Sequence, residues 1–206
     1  MSIITNILFW ISTGMLLPVI ILLLISFIFS LISLGELYGG FMQRLKNRKK
    51  LAILEKNIRE NGLKVIYDNE ILKTDSTFTD SLNKMLEFKF NKTITEKLLN
   101  DFLSSKDRNI GKSVILTRTG PMLGLMGTLI PMGPALTGLA SGDVASMASN
   151  MQVAFATTVV GIFTGGCGFI SSFLSERWYK EDYDFLEYIA ETAFIENKNE
   201  VLNEKK

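Results

Sequence analysis

Threonine placed among glycines is the main polar chemistry that this chain carries inside its apolar segments. One such run extends from Gly120 to Thr128, and a second extends from Ala156 to Gly161. Small residues allow two helix backbones to approach closely in lipid. A threonine hydroxyl in such a place can bond to its own helical turn, face a partner helix or face water.

The side chains that most enzymes need are absent from the sequence. There is no histidine, and Cys167 is the one cysteine. The chain shows no phosphate-binding glycine loop and no cluster with metal-ligand spacing. We therefore expect no enzymatic activity, no metal and no cofactor, and we expect Cys167 to be a small buried core residue.

The charged residues are unevenly distributed. The formal net charge is +1, which gives no reason to expect a nucleic-acid partner. Residues 1–35 carry no charge, and between Val114 and Ser175 the only charged residues are Arg118 and Asp143. The other charges lie in the blocks Glu36–Lys112 and Glu176–Lys206. This is the pattern of a membrane protein with soluble extensions.

Three apolar segments reach the roughly 20 helical residues that cross a bilayer. They are Ile7–Leu34, Val114–Ala140 and Met147–Phe173. Gly14 and Pro18 interrupt the first segment, which a helix in lipid tolerates. The link Ser141–Asn150 is too short to hold a domain, so we expect the second and third segments to form a hairpin. The predicted fold is an all-α integral membrane protein with three transmembrane helices and helical extensions.

The distribution of lysine and arginine predicts the orientation. Basic residues follow the first span and precede the second, whereas the N-terminus and the hairpin link have none. The positive-inside rule places the N-terminus outside and the C-terminus in the cytoplasm. The predicted parts are transmembrane helix 1 (1–35), a cytoplasmic helical loop (36–112), the hairpin of helices 2 and 3 (113–175) and a cytoplasmic C-terminal helix (176–206). The basic segment after span one and the acidic C-terminal helix either pair or are solvated separately.

Each hairpin helix carries a stripe of small residues. A four-residue step places its members on one helix face. The stripes are Gly120, Gly124 and Thr128 in the second span, and Thr157, Gly161 and Gly165 in the third, with Thr158 beside them. Two interpretations stand at this point. The stripes either only pack helices, with each threonine bonded to its own turn, or they also line a polar path for ions or water.

Two prolines bear on the second interpretation. A proline cannot donate a hydrogen bond to the carbonyl four residues earlier. Pro131 should free the carbonyl of Gly127, and Pro134 should free that of Ile130, so we expect helix kinks here. A free carbonyl at membrane depth needs protein, water or an ion. Either the prolines only kink the helix, or Gly127 and Thr128 form one hydrated polar station.

No carboxylate lies deep within any predicted span. Asp143 is expected to be the N-cap of the third span, in the hairpin link. Proton translocation normally uses an ionisable group inside the membrane. If this chain conducts protons, another polypeptide has to supply that group.

The two threonine runs together resemble the MotA/TolQ/ExbB proton channel family. The matching residues are Pro121, Gly124, Leu125, Gly127 and Thr128 in the first run and Ala156, Thr157, Thr158 and Gly161 in the second. The resemblance covers roughly residues 110–175 by motif. The layout of three spans, with a large loop between the first two, is similar to the shorter, TolQ/ExbB-like members.

The resemblance implies a channel-forming subunit of a proton-motive-force-driven motor complex in the inner membrane. It implies a homopentamer in lipid around a dimer of a single-span TolR/ExbD/MotB-like protein, whose aspartate takes up and releases protons. The hairpin would be the channel domain, with Thr128 and Thr158 facing that aspartate and Thr157 and Gly127 beside the path. Gly120, Gly124, Gly161 and Gly165 would pack the helices.

Two functions of other classes remain open. The chain is alternatively a structural membrane scaffold that packs through its glycine stripes, or a small-solute transporter with helices broken at Pro131 and Pro134. The sequence also leaves open which process a motor would drive: uptake, envelope maintenance, motility or defence.

Overall fold

The computed structural model describes the backbone of residues 3–61 and 77–203, and the side chains of these residues except 5, 46–61 and 196–203. This part of the chain is helical apart from short turns, which confirms the all-α prediction. Its helices are α1 (Ile3–Gly14), α2 (Leu16–Asn61), α3 (Thr77–Glu87), α4 (Lys92–Ala140) and α5 (Val144–Asn203).

Among the described residues, three stretches of helix are long and apolar enough to cross a membrane: Asn6–Leu45, Lys92–Ala140 and Val144–Ile195. The three predicted spans lie within them. The chain divides into two compact units. We call Met1–Leu37 with Gly111–Phe173 the span unit, and Tyr38–Ile110 with Leu174–Lys206 the charged unit.

The first span is interrupted where the sequence predicted it. Helix α1 ends at Gly14, and the Met15 amide donates to the carbonyls of Ile11 and Ser12, both at 3.1 Å. Pro18 lies in the first turn of α2, where a missing amide hydrogen is tolerated. Because proline cannot donate, the Gly14 carbonyl loses its helical partner, and this favours a break before α2.

The hairpin link is shorter than predicted. Helix α5 begins at Val144 rather than at Met147, so only three residues separate it from α4. Gly142 has a φ of 79°, which favours glycine, and the Asp143 amide donates to the Gly138 carbonyl at 2.8 Å. The carboxylate of Asp143 accepts the Ser146 amide at 3.0 Å. The predicted N-cap is therefore confirmed, and it starts the helix one turn earlier.

Large apolar side chains form the core of the charged unit. They come from α3, from the turn that follows it, from the start of α4 and from the last part of α5. The core consists of Phe78, Leu82, Met85, Phe90, Phe102, Leu186, Ile189 and Ala193. These residues recur at three- and four-residue steps, so each helix presents one apolar face to the others.

Arg44 joins α2 to α5 within the charged unit. Its guanidinium donates to the Trp178 carbonyl at 2.7 Å and to the Asp182 carboxylate, and it lies 3.4 Å from Glu181. It also lies 5.5 Å from the centre of the Trp178 ring, on which Phe41 stacks. Burial raises the pKa of Asp182 above its usual value, and the charge of Arg44 offsets part of that rise. In the basic segment after span one, Arg44 is the residue whose side chain is described, and it pairs with the acidic part of α5. The side chains of residues 46–50 lie outside the described part of the chain.

Candidate functional site: the glycine-packed hairpin

The two hairpin helices touch through their backbones. A Cβ atom placed on Gly161 would lie 2.6 Å from the Cα of Gly124, and one on Gly120 would lie 2.7 Å from the amide nitrogen of Gly165. Real Cβ atoms do not approach other atoms so closely. The four predicted packing glycines therefore face each other in pairs, and no side chain fits between them.

Two further contacts continue this seam along the hairpin. A Cβ on Gly165 would lie 2.7 Å from the ring of Pro121, and one on Gly168 would lie 2.7 Å from the backbone nitrogen of Thr117. Gly168 was not among the predicted packing residues, because the search followed a strict four-residue step. Continuing the stripe from Gly165 by three residues, the other neighbour on a helix face, would have found it.

Gly127 and Thr157 meet inside the span unit. A Cβ on Gly127 would lie 2.6 Å from both Cβ and Oγ1 of Thr157. Thr157 is buried, and its hydroxyl donates to the Ala154 carbonyl at 2.9 Å, with the Val153 carbonyl at 3.1 Å. Thr157 thus fills the space that the missing side chain of Gly127 leaves.

Thr128 and Thr158 lie at the edge of the hairpin, at the same level as the contact between Gly127 and Thr157. Each follows a member of the Gly127–Thr157 contact, and each is half-buried. The Thr128 hydroxyl donates to the Leu125 carbonyl at 2.7 Å, and that of Thr158 donates to the Ala154 carbonyl at 3.0 Å. Their protons are thus bound to their own helices, while lone pairs of both oxygens are free to accept.

Helix α4 continues through its prolines. Pro121, Pro131 and Pro134 all lie inside it, and the side chain of Pro131 is fully buried. Neither Pro131 nor Pro134 ends the helix. Since Pro131 has no amide hydrogen, the Gly127 carbonyl has no donor four residues on. The Thr128 hydroxyl does not donate to it, because its proton goes to Leu125.

Three serines from three helices form a cluster near the other end of the span unit. Ser33 of α2 donates to Ser171 of α5 at 2.8 Å and lies 3.1 Å from Ser113 of α4. Ser113 and Ser171 are 3.2 Å apart, and both are buried. The sequence analysis missed this serine cluster. The glycine register of the hairpin would have brought Ser113 and Ser171 together, but no sequence signal places Ser33 beside them.

A comparison with protein families also bears on this hairpin. The model of the MotA/TolQ/ExbB proton channel family matches residues 69–183, which is more than half of the chain. The chain belongs to the MotA/TolQ/ExbB proton channel family. Neither the curated proteins nor the solved structures give a significant match.

Family membership confirms the resemblance in the two threonine runs. The matched region contains the whole MotA/TolQ/ExbB hairpin and starts well before it, within the charged unit. The family works with partner proteins in membrane complexes. With its three membrane-capable helices, this MotA/TolQ/ExbB member is a multi-pass membrane protein.

Proposed function

We propose that the chain is the channel-forming subunit of an ion-driven membrane motor, in which proton flow moves a single-span partner of the TolR/ExbD/MotB kind. One observation carries the proposal. The chain belongs to a proton channel family, and no side chain fits between the two helices of its hairpin. Thr128 and Thr158 lie at one level of this hairpin, at its edge. In the proposed role, the chain is not an enzyme and needs no cofactor.

The distribution of carboxylates supports a partner. Asp143 caps α5 in the link, and no other carboxylate occurs between Val114 and Ser175 or in residues 1–35. A proton that crosses here needs an ionisable group inside the membrane. We propose that the partner's aspartate supplies it, opposite the free lone pairs of Thr128 and Thr158, and that five copies of this chain surround a partner dimer.

The proposed orientation follows the basic residues. The charged unit would lie in the cytoplasm, with the N-terminus and the hairpin link on the outer side of the inner membrane. The threonine level would then face a path between the two sides.

A scaffold is the second candidate, and one observation favours it. The hydroxyls of Thr128, Thr157 and Thr158 all donate to carbonyls of their own helices. A protein that only packs helices through glycine would show the same bonds. The two candidates differ in whether the hydroxyl oxygens of Thr128 and Thr158 take part in proton transfer with the partner's aspartate.

Proton flux through the whole complex separates the candidates. The chain is co-purified with its single-span partner, reconstituted in liposomes, and tested with an interior pH dye under an imposed proton gradient. We expect the double variant Thr128→Val with Thr158→Val to lose at least ten-fold in flux, because valine keeps the shape and removes the oxygens. Native mass spectrometry should show an unchanged assembly of five copies with two partner chains.

Thr137→Val is the matched control. Thr137 lies on the same helix, is exposed, and donates to the Gly133 carbonyl at 3.0 Å in the same way. Nine residues separate it from Thr128, which places it on the opposite helix face. Its flux should equal that of the unaltered chain. Full flux in the double variant would refute the channel role of the two threonines and favour the scaffold.

A further inference from the structure

Thr164 differs from the other threonines of the spans. Its side chain is 0% exposed, and its hydroxyl has no hydrogen-bond partner within the protein. The other described threonines of α4 and α5 between Gly111 and Phe173 each donate to a carbonyl three or four residues earlier. They are Thr117, Thr119, Thr128, Thr137, Thr157 and Thr158. A buried hydroxyl without a partner is unfavourable, and a bound water or ion is one explanation for it.

A second unsatisfied group lies at the same level of the hairpin. Gly165, the next residue, packs against the Pro121 ring, and a Cβ on it would lie 3.4 Å from the Thr117 carbonyl oxygen. Because Pro121 has no amide hydrogen, that carbonyl lacks its helical donor. A hydroxyl that can donate therefore belongs to the residue next to the glycine that packs beside a carbonyl that can accept.

Polar side chains continue from Thr164 toward the serine cluster. Cys167, three residues further on, lies near Ser30 of α2, whose hydroxyl donates to the Phe27 carbonyl at 2.7 Å. Both Cys167 and Ser30 are buried. Ser171 of the serine cluster follows four residues after Cys167, a rise of about 6 Å.

We propose that a water molecule lies between the Thr164 hydroxyl and the Thr117 carbonyl, and that hydrated polar groups connect it past Cys167 to the serine cluster. A buried water typically makes two to four hydrogen bonds, and the Thr164 hydroxyl and the Thr117 carbonyl would supply two of them. The path takes water and small hydrated cations, including the hydrated proton. It lies between all three spans of one subunit and is distinct from the edge at which Thr128 and Thr158 lie.

The role of this path rests on the proposed function. Thr164 follows Thr158 by six residues, which is about 9 Å along α5. The path would thus lead an ion from near the threonine level toward the end of the spans at Gly111 and Phe173. In the proposed orientation this is the exit into the cytoplasm.

Cys167 provides a natural probe of the path, since it is the one cysteine of the chain. Silver ions are small and react with thiols that water reaches. Vesicles that contain the full complex are treated with Ag⁺ for increasing times, and the thiols left free are then labelled with a maleimide after denaturation. We expect Cys167 to react at least ten-fold faster than a cysteine in a dry core position. Leu23→Cys with Cys167→Ala supplies that control, because Leu23 is 2% exposed and apolar.

Variants of Thr164 test the assigned water. Thr164→Val should slow the reaction of Cys167 at least five-fold, and Thr164→Ser, which keeps the hydroxyl, should leave it unchanged. Thr137→Val is the control for an unrelated hydroxyl and should also have no effect. Cys167 reacting as slowly as the Leu23→Cys variant, or an unchanged rate in Thr164→Val, would refute the hydrated path.

The exit role has its own readout. Ag⁺ should reduce proton flux at least five-fold in the unaltered complex and leave the Cys167→Ala complex unaffected. Full flux with Cys167 completely modified would refute the exit role. Absence of flux before Ag⁺ is added would instead count against the proposed channel, while the rate of the Cys167 reaction would still report on the path.

Discussion

The span unit and the charged unit are both helical, yet they pack by opposite means. In the span unit, glycines bring backbones into contact, as at Gly124 and Gly161. In the charged unit, large side chains such as Phe102 and Leu186 fill the space between helices. Water drives apolar side chains together, whereas lipid is as apolar as they are. Helices in lipid therefore pack through close contact between their backbones. We expect the two units to respond oppositely to a change in side-chain size.

Removing a large side chain should give the largest effect, in the charged unit. Phe102 is 2% exposed and lies 5.7 Å from the Tyr179 ring. Phe102→Ala should lower the local free energy of unfolding by about 4 kcal/mol, because it leaves a cavity. Hydrogen–deuterium exchange of α3 and of the last part of α5 would measure this. Phe88→Ala is the control, since Phe88 is 48% exposed, and it should change exchange little.

Adding a small side chain should give the next largest effect, in the span unit. Gly161→Ala places a methyl 2.6 Å from the Gly124 Cα and should destabilise the hairpin by about 3 kcal/mol. Gly35→Ala should instead stabilise slightly, because a Cβ there meets nothing within 4 Å and alanine favours helix. Thermal unfolding in detergent compares the two variants. Equal effects at both positions would contradict backbone contact as the basis of packing.

The two units also differ in their use of charge, because Arg44 joins two helices of the charged unit. Arg44→Gln should destabilise the unit by about 2 kcal/mol at neutral pH, because Asp182 loses its partner in a partly buried site. Burial already raises the pKa of Asp182, and loss of Arg44 should raise it further.

The effect of Arg44→Gln should therefore shrink on acidification. A carboxyl whose pKa is higher in the folded than in the unfolded state takes up its proton first in the folded state as the pH falls. Protonation then removes the unpaired charge. Unfolding measured between neutral and mildly acidic pH checks this, with Asp182→Asn as the control that abolishes the pH dependence. A penalty that grows on acidification would contradict the burial of Asp182.

Local signals in the sequence were enough for much of the span unit. Long apolar segments with almost no charge predicted three spans, Pro18 and Gly14 predicted the break in the first, and Asp143 predicted the cap of α5. Four-residue steps identified the glycines that meet in the hairpin. These features depend on neighbours within a few residues or on one short hairpin, so the pattern of residue types determines them.

Features that join distant segments could not be predicted in this way. Ser33 reaches Ser171 across 138 residues, and nothing in the apolar pattern of span one distinguishes that serine from Ser30. The burial of the unpaired Thr164 likewise depends on how helices from distant parts of the chain pack. In the proposed assembly, neighbouring subunits form the surroundings of Thr128 and Thr158, and no pattern within one chain specifies such contacts.

The serine cluster has a consequence for charge selectivity. With Ser33 donating to Ser171, the ring is completed when Ser171 donates to Ser113 and Ser113 donates to Ser33. All three protons are then consumed within the ring, and each oxygen keeps a lone pair directed outward. Such a ring offers only acceptors to whatever approaches it. In that arrangement, we expect cations and hydrogen-bond donors to approach the three neutral side chains more readily than chloride does.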